Sequence, residues 1–144
     1  MSGFNDEHKI FRQVVREFVA NEIAPHVDDW ENEEHIPRKL FRDLGGLGFL
    51  GLEYPDEYGG ASGDFWMSIV LAEEMARCRS GGVAFSVAVH TDMSSPWLHR
   101  LGTDSQKQKY LPKITSGQSV CALAITEPGA GSDMAGIETT AVRD

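Results

Sequence analysis

The chain has 144 residues, 41% of them hydrophobic, enough for one buried core of ordinary globular composition. Its formal charge of -9, from 22 acidic and 13 basic residues with no dense Lys/Arg cluster, argues against a nucleic-acid partner. Two cysteines, Cys78 and Cys121, make no disulfide framework, no apolar run is long enough to cross a bilayer, and the start MSGFNDEHKIF is neither a signal peptide nor an acid-poor import presequence, so a reducing, cytoplasmic setting or the mature form of an imported protein is expected.

The first predicted helix opens at Asn5 as N-cap, with Asp6 and Glu7 in its first turn and Phe11, Val14, Val15, Phe18 and Val19 on one apolar face. Pro25 interrupts it, and HVDDWENEEH hangs the ring of Trp30 on a solvated surface. Pro37 begins a second helix that carries Leu40, Phe41 and Leu44 and ends at Gly45, Gly46 and Gly48. From Phe49 to Gly63 the Gly, Pro and acid content predicts an ordered loop. A further helix runs through IVLAEEMARCR, capped by Ser62 or Asp64 and closed by Arg77, Arg79 and Gly81. In VAFSVAVHTDM, Phe85, Val89 and Met93 stand four apart on one helical face; the β-branched content also suits a strand, but length and context favour helix. Thr103 and Gln106 form a capping box for a helix bent at Pro112, with Tyr110, Leu111 and Ile114 facing inward, and Gly117 stops it.

After Gly117 the pattern changes. Val120 to Ile125 is a short apolar run suited to a strand buried on both faces, and Ile137 to Val142 is a second β-compatible stretch. The organisation is therefore mainly α: a helical domain over 1–117, a bundle of about five helices, followed over 118–144 by the opening strands of a β domain.

Between those strands lies Thr126-Glu127-Pro128-Gly129-Ala130-Gly131-Ser132-Asp133. Its two glycines can take positive φ and converge backbone N–H groups on an anion, with hydroxyls from Thr126 and Ser132 beside them; the same residues also make an ordinary strand-to-strand turn. The spacing matches neither a nucleophile elbow, a dinucleotide fingerprint nor a phosphate loop.

Other candidates are structural. Glu22 with His26, and Glu31 with His35, are i, i+4 pairs lacking a third ligand, so no metal site is expected. Glu73 and Glu74, like Asp28 and Asp29, diverge by about 100° on a helix and read as solvated. Trp30, Trp66 and Trp97 read as packing anchors, while His90 and His99 have no partner that decides between core and pocket.

The run YLPKITSGQSVCALAITEPGAGSDMAGIETTA resembles the acyl-CoA dehydrogenase family, in which a helix ending in Tyr-Leu-Pro leads to a strand and then to Thr-Glu-Pro-Gly-x-Gly-Ser-Asp. Upstream, LFRDLGGLGFLGLEYPDEYGG and IVLAEEMAR are similar to the same family, and AFSVAVHTDMSSPWL looks most like branches acting on long or branched acyl groups. The resemblance implies an N-terminal helical domain, a middle β-barrel-like domain and a C-terminal helical domain, with only the first complete here. It implies FAD as cofactor, touched by Leu123, Ala124, Ile125, Thr126, Gly131 and Ser132: Thr126 resembles the residue at the flavin ring, and Ser132 the one at the pyrophosphate and bound thioester. It places the acyl chain of an acyl-CoA thioester against Phe85, Val89 and Met93, equally readable as core packing.

The implied reaction removes an α-proton with a glutamate and passes the β-hydride to flavin, with electron transfer flavoprotein as acceptor; no residue here matches that base, which is expected beyond Asp144. A homo-oligomer, through C-terminal helices, and a cytoplasmic or mitochondrial-matrix location follow from the same resemblance. Two alternatives are a non-catalytic helical interaction domain, which an unpaired apolar strand disfavours, and an acyl-CoA oxidase-like relative that uses oxygen.

Overall fold

A computed structural model describes residues 4–142. Asn5 caps α1 (Asp6–Phe18): its side chain accepts from the His8 amide at 2.9 Å, while its own N–H donates to His8 Nδ1 at 3.0 Å. The buried His8 ring then meets the Asp64 carboxylate at 2.9 Å, and Asp64 is the N-cap of α4 (Phe65–Met75). One imidazole thereby joins the starts of the two helices that pack most extensively on each other. α1 runs into a π-helical turn, Val19–Ile23, and Val15, Val19 and Ile23 form its buried face. Val14, expected on that face, is 43% exposed. After the Pro25 turn, α2 (Val27–Asn32) places Trp30 half-buried against the core with His26 stacked on it at 5.7 Å, the packing role expected of that ring.

α3 (Arg38–Gly46) buries Leu40, Phe41 and Leu44 as the pattern predicts. The loop that follows is ordered by two 3₁₀ turns, Phe49–Gly51 and Asp56–Tyr58, and buries Phe49, Leu50, Leu52, Tyr54 and Tyr58. α5 (Gly81–Ala88), a π-turn (Val89–Ser94) and α6 (Ser95–Leu101) form one continuous rod. α7 (Asp104–Thr115) has the Thr103/Gln106 capping box and carries Pro112 within it. Leu111 and Ile114 are buried, but Tyr110 is 44% exposed and does not face inward.

Glu74 is the largest departure from the sequence reading. It is 2% exposed, and its carboxylate receives Arg12 Nη1, Arg16 Nε and Arg16 Nη2, each at 2.9 Å, with Arg77 Nε at 3.4 Å. The arginines that α1 brings across the interface leave no trace in the local periodicity around Glu73 and Glu74. The Arg16 guanidinium holds the Glu74 carboxyl at about 2, although burial pushes the other way.

The end of α7 docks on α3 with no room for side chains. A Cβ at Gly45 would stand 2.3 Å from the Ser116 carbonyl carbon, and one at Gly117, whose φ is +70°, would stand 2.0 Å from the Phe41 carbonyl oxygen. Beyond this point the expected strands do not form a ladder: among the described residues the β-pairing is a single bridge, Glu127 with Ala130. From Val120 to Ile125 exposure alternates as along an extended chain, and among the described residues the segment pairs with no neighbouring strand.

Glu74→Gln should lower the unfolding free energy by about 1–3 kcal/mol in urea melts near neutral pH. Folded Glu74 releases its proton near 2 and the unfolded residue near 4.5, so the pair's contribution is present above 4.5 and lost as pH falls through that window; a wild-type stability that stays level there contradicts the buried pair. Gly117→Ala should cost more than about 1 kcal/mol, whereas Gly46→Ala, with open space at its Cβ, should be neutral or stabilising. Equal melting temperatures for the two variants would show that the α3–α7 approach is not tight.

Candidate functional site

The site is built where α7 hands over to the extended segment. Ser119 N–H donates to the Lys113 carbonyl at 2.9 Å, and two residues later the Cys121 N–H donates to Nδ1 of the fully buried His90 at 3.0 Å. From there side chains alternate: Cys121, Leu123 and Ile125 are half-buried, while Ala122, Ala124 and Thr126 are exposed. Among the described residues, the main-chain groups of Ala122 through Thr126 have no hydrogen-bond partner. The segment thus presents an apolar face inward and a free polar edge outward.

Leu123 and Ile125 reach an open groove of about 810 Å³. Its floor is the 49–54 turn, one wall is α4 through Phe65, Ser68 and Ile69, and the other is the rod through Asp92, Met93, Trp97 and Arg100. Phe65, Met93 and Trp97 are 60%, 40% and 58% exposed, a concentration of apolar surface at one mouth. Burial pushes the Asp92 carboxyl upward, the Thr91 hydroxyl opposes this, and Glu53 adds to the shift. His99 is pushed down by burial and by the positive charges of Lys107 and Arg100, and its ring lies 4.7 Å from Tyr54. Tyr54, held at about 12 mainly by burial, shares a hydrogen bond of 2.7 Å with Ser95.

The glycine turn is built differently from the sequence expectation. Neither Gly129 nor Gly131 adopts positive φ. The turn is closed instead by reciprocal hydrogen bonds between Glu127 and Ala130, at 2.8 and 3.1 Å. The Glu127 carboxylate accepts from the amides of Glu138 and Thr139, each at 2.9 Å, and from the Thr139 hydroxyl. The Thr139 hydroxyl contributes most to holding its pKa below the usual range, and the two amides reinforce it. A Cβ at Gly129 or Gly131 would meet nothing within 4 Å, so both faces of the turn are open to a close approach.

The structure brings Leu123, Ile125 and Met93 to one groove, with Thr126 on the outer edge of the same segment and Gly131 and Ser132 exposed in the turn beyond. Phe85 and Val89 are not brought there: Phe85 is 60% exposed and neither lines the groove. The π-turn at Val89–Ser94 is the reason, because its wider turn rotates Met93 off the line that four-residue spacing predicts. The sequence reading gives Asp92 and Glu127 no site role and leaves His90 open between core and pocket; Glu127 carries a signal in its position within the motif, Asp92 none. Among the described residues no group of three metal-ligating side chains gathers, and no helix is long and apolar enough to cross a membrane.

Known proteins show the same architecture. Residues 5–118 match the family described as acyl-CoA dehydrogenase, N-terminal domain. The mitochondrial long-chain specific acyl-CoA dehydrogenase of Sus scrofa is 37% identical over 141 residues, covering 98% of this chain and 32% of that protein. The crystal structure of an acyl-CoA dehydrogenase from Geobacillus kaustophilus superposes with a TM-score of 0.93 at 40% identity, covering 99% of this chain and 37% of the other. An acyl-CoA dehydrogenase complexed with FAD from Bacillus anthracis superposes with a TM-score of 0.88 at 36% identity, covering 94% and 23%. The chain therefore spans about a third or less of the length of these relatives. A family match over most of the chain, joined to a superposition that includes the extended segment and its turn, shows that the chain belongs to the acyl-CoA dehydrogenase family, whose N-terminal domain it carries.

Proposed function

We propose that this chain is part of an enzyme that oxidises an acyl-CoA thioester between its α and β carbons with FAD as cofactor. The observation that carries the reading is the placement of the extended segment: a free main-chain edge from Ala122 to Thr126 lies beside an open, largely apolar groove and leads into an accessible Gly-Ser turn. A flat heterocycle with a polar rim fits such an edge, since unpaired N–H and C=O groups are the partners its ring nitrogens and oxygens need.

Leu123, Ala124, Ile125 and Thr126 would hold the ring, with the Thr126 hydroxyl at its edge. Gly131 and Ser132 would meet the pyrophosphate, and Ser132 also the thioester. When bound, FAD supplies the two-electron acceptor that no amino-acid side chain provides. Met93 and the apolar groove would receive the acyl chain and exclude water from it. The base that takes the α-proton is assigned to polypeptide corresponding to the remaining length of the relatives, and electron transfer flavoprotein to the role of acceptor. A homo-oligomer in the cytoplasm or the mitochondrial matrix completes the reading.

The test is the visible absorption of the full-length enzyme that contains this chain, purified with FAD and recorded anaerobically during titration with acyl-CoA thioesters of increasing chain length. A flavin band that bleaches with one thioester and not with free CoA supports the reading, and a protein that takes up no flavin overturns it. Ser132→Ala in the full-length enzyme should weaken FAD or thioester binding by about 1–3 kcal/mol, through loss of a hydrogen bond to a charged group. Unchanged affinity for both ligands would remove Ser132 from the site.

A further inference from the structure

His90 has no part in the chemistry proposed above, yet both nitrogens of its buried ring have main-chain partners. It is fully buried, with Nδ1 3.0 Å from the Cys121 amide nitrogen and Nε2 3.2 Å from the Ile114 carbonyl oxygen. An amide N–H can only donate and a carbonyl can only accept. The neutral ring protonated on Nε2 is therefore the one form that satisfies both.

The anchor matters because little else fixes the segment. Between the Ser119 amide, bonded to Lys113, and the Glu127–Ala130 bridge, the described residues show one main-chain hydrogen bond, that from Cys121 to His90. Side chains alternate along an extended chain, so a slip of one residue would exchange Leu123 and Ile125 for Ala124 and Thr126. We infer that His90 is a positioning residue for the flavin-binding segment: by holding the Cys121 amide against the last turn of α7, it sets the register that sends Leu123 and Ile125 into the groove and leaves Thr126 on the open edge. This inference rests on the proposed reading of that segment as a flavin contact.

The arrangement is sensitive to protonation, because a proton on Nδ1 turns the acceptor into a donor facing another donor. Burial pushes the ring below its ordinary value of 6.5, with the Ile114 carbonyl opposing. The groups facing the ring are Phe41 from α3, at 5.5 Å between ring centres, Ile114 from α7 and Cys121 from the segment. Titratable neighbours on these elements are Arg42 and Lys113, both exposed, and the Cys121 thiol, which burial pushes up. On the same rod Asp92 lies two residues on, its carboxyl also pushed up by burial. With the folded value below the unfolded one, the contribution of His90 is present above 6.5 and is lost as pH falls from there.

The experiment compares wild type, His90→Asn and His90→Leu in the full-length enzyme, each purified with FAD, by two readouts: FAD affinity as a function of pH, and hydrogen exchange at the Cys121 amide. Asn places Oδ1 near the position of Nδ1 and still accepts from Cys121, but it does not titrate; Leu offers no acceptor. Wild type should keep its FAD affinity at about pH 7 and lose it only as pH falls below the ordinary imidazole value. His90→Asn should bind within about threefold of wild type at the higher pH with a flat profile, while His90→Leu should bind at least about tenfold more weakly with faster Cys121 exchange. Unchanged exchange in His90→Leu overturns the tether. Faster exchange with unchanged FAD affinity overturns the positioning role, whereas wild type that takes up no FAD overturns the flavin reading and leaves the tether to be judged by exchange alone. If His90→Leu does not fold, the pH profiles of wild type and His90→Asn decide, and identical profiles overturn the inference.

Discussion

The hydrogen bond from the Cys121 amide to His90 Nδ1 is where the helical scaffold takes hold of the chain that follows it. Its strength comes from its surroundings. The ring is sealed from water between α3, α7 and its own rod, so an amide left without that acceptor would carry most of its desolvation cost. The other ring nitrogen is committed to Ile114, and this fixes the ring plane and hence the direction of the Nδ1 lone pair. A backbone with no sheet partner is thereby aimed by a side chain instead of by a ladder.

That anchor is only as good as the packing that immobilises its two ends. α7 cannot shift along α3, because Gly45 and Gly117 bring the two backbones into contact and any sliding would drive carbonyls together. The Thr115 hydroxyl adds a bond to the Tyr58 carbonyl at 2.8 Å, tying α7 to the loop that floors the groove. On the far side, α4 is held to α1 by the Glu74 carboxylate and its arginines and by the His8–Asp64 contact, so the Phe65, Ser68 and Ile69 wall belongs to the same rigid unit. Polar interactions buried on both sides of the groove thus select one geometry, which an apolar core alone leaves adjustable.

The helical half was legible from sequence because its signals are local. Asn5, Asp64 and the Thr103/Gln106 box cap helices through atoms three residues away, and the faces carrying Val15, Leu40, Phe41, Leu44, Leu111 and Ile114 follow the helical period. What failed depends on distance in sequence or on departures from that period. Glu74 looked solvated because its arginines lie about 60 residues upstream. Phe85, Val89 and Met93 looked coaxial because a π-turn leaves no residue signature. Val120 to Ile125 has the composition of a strand buried on both faces, yet burial of a second face needs neighbours that the described residues do not supply. The turn motif drew attention through its glycines and hydroxyls, whereas in the fold the Glu127 carboxylate does the closing.

The proposed chemistry makes opposite demands on the two sides of the extended segment, and the alternation meets both. An acyl chain needs apolar surface from which water is displaced, and Leu123 and Ile125 add to the groove in that sense beside Met93. A flavin ring needs hydrogen-bond partners that are not already used, and the unpaired edge from Ala122 to Thr126 has them. A central strand of a closed sheet would have spent those groups on its neighbours, and a helix would have spent them on itself. An extended backbone held at one end by a neutral histidine and at the other by a carboxylate-closed turn keeps them free without leaving the chain loose. The same logic explains why the anchor is an imidazole. It accepts at one nitrogen and donates at the other within a single rigid ring, which no uncharged aliphatic or hydroxyl side chain does across that span.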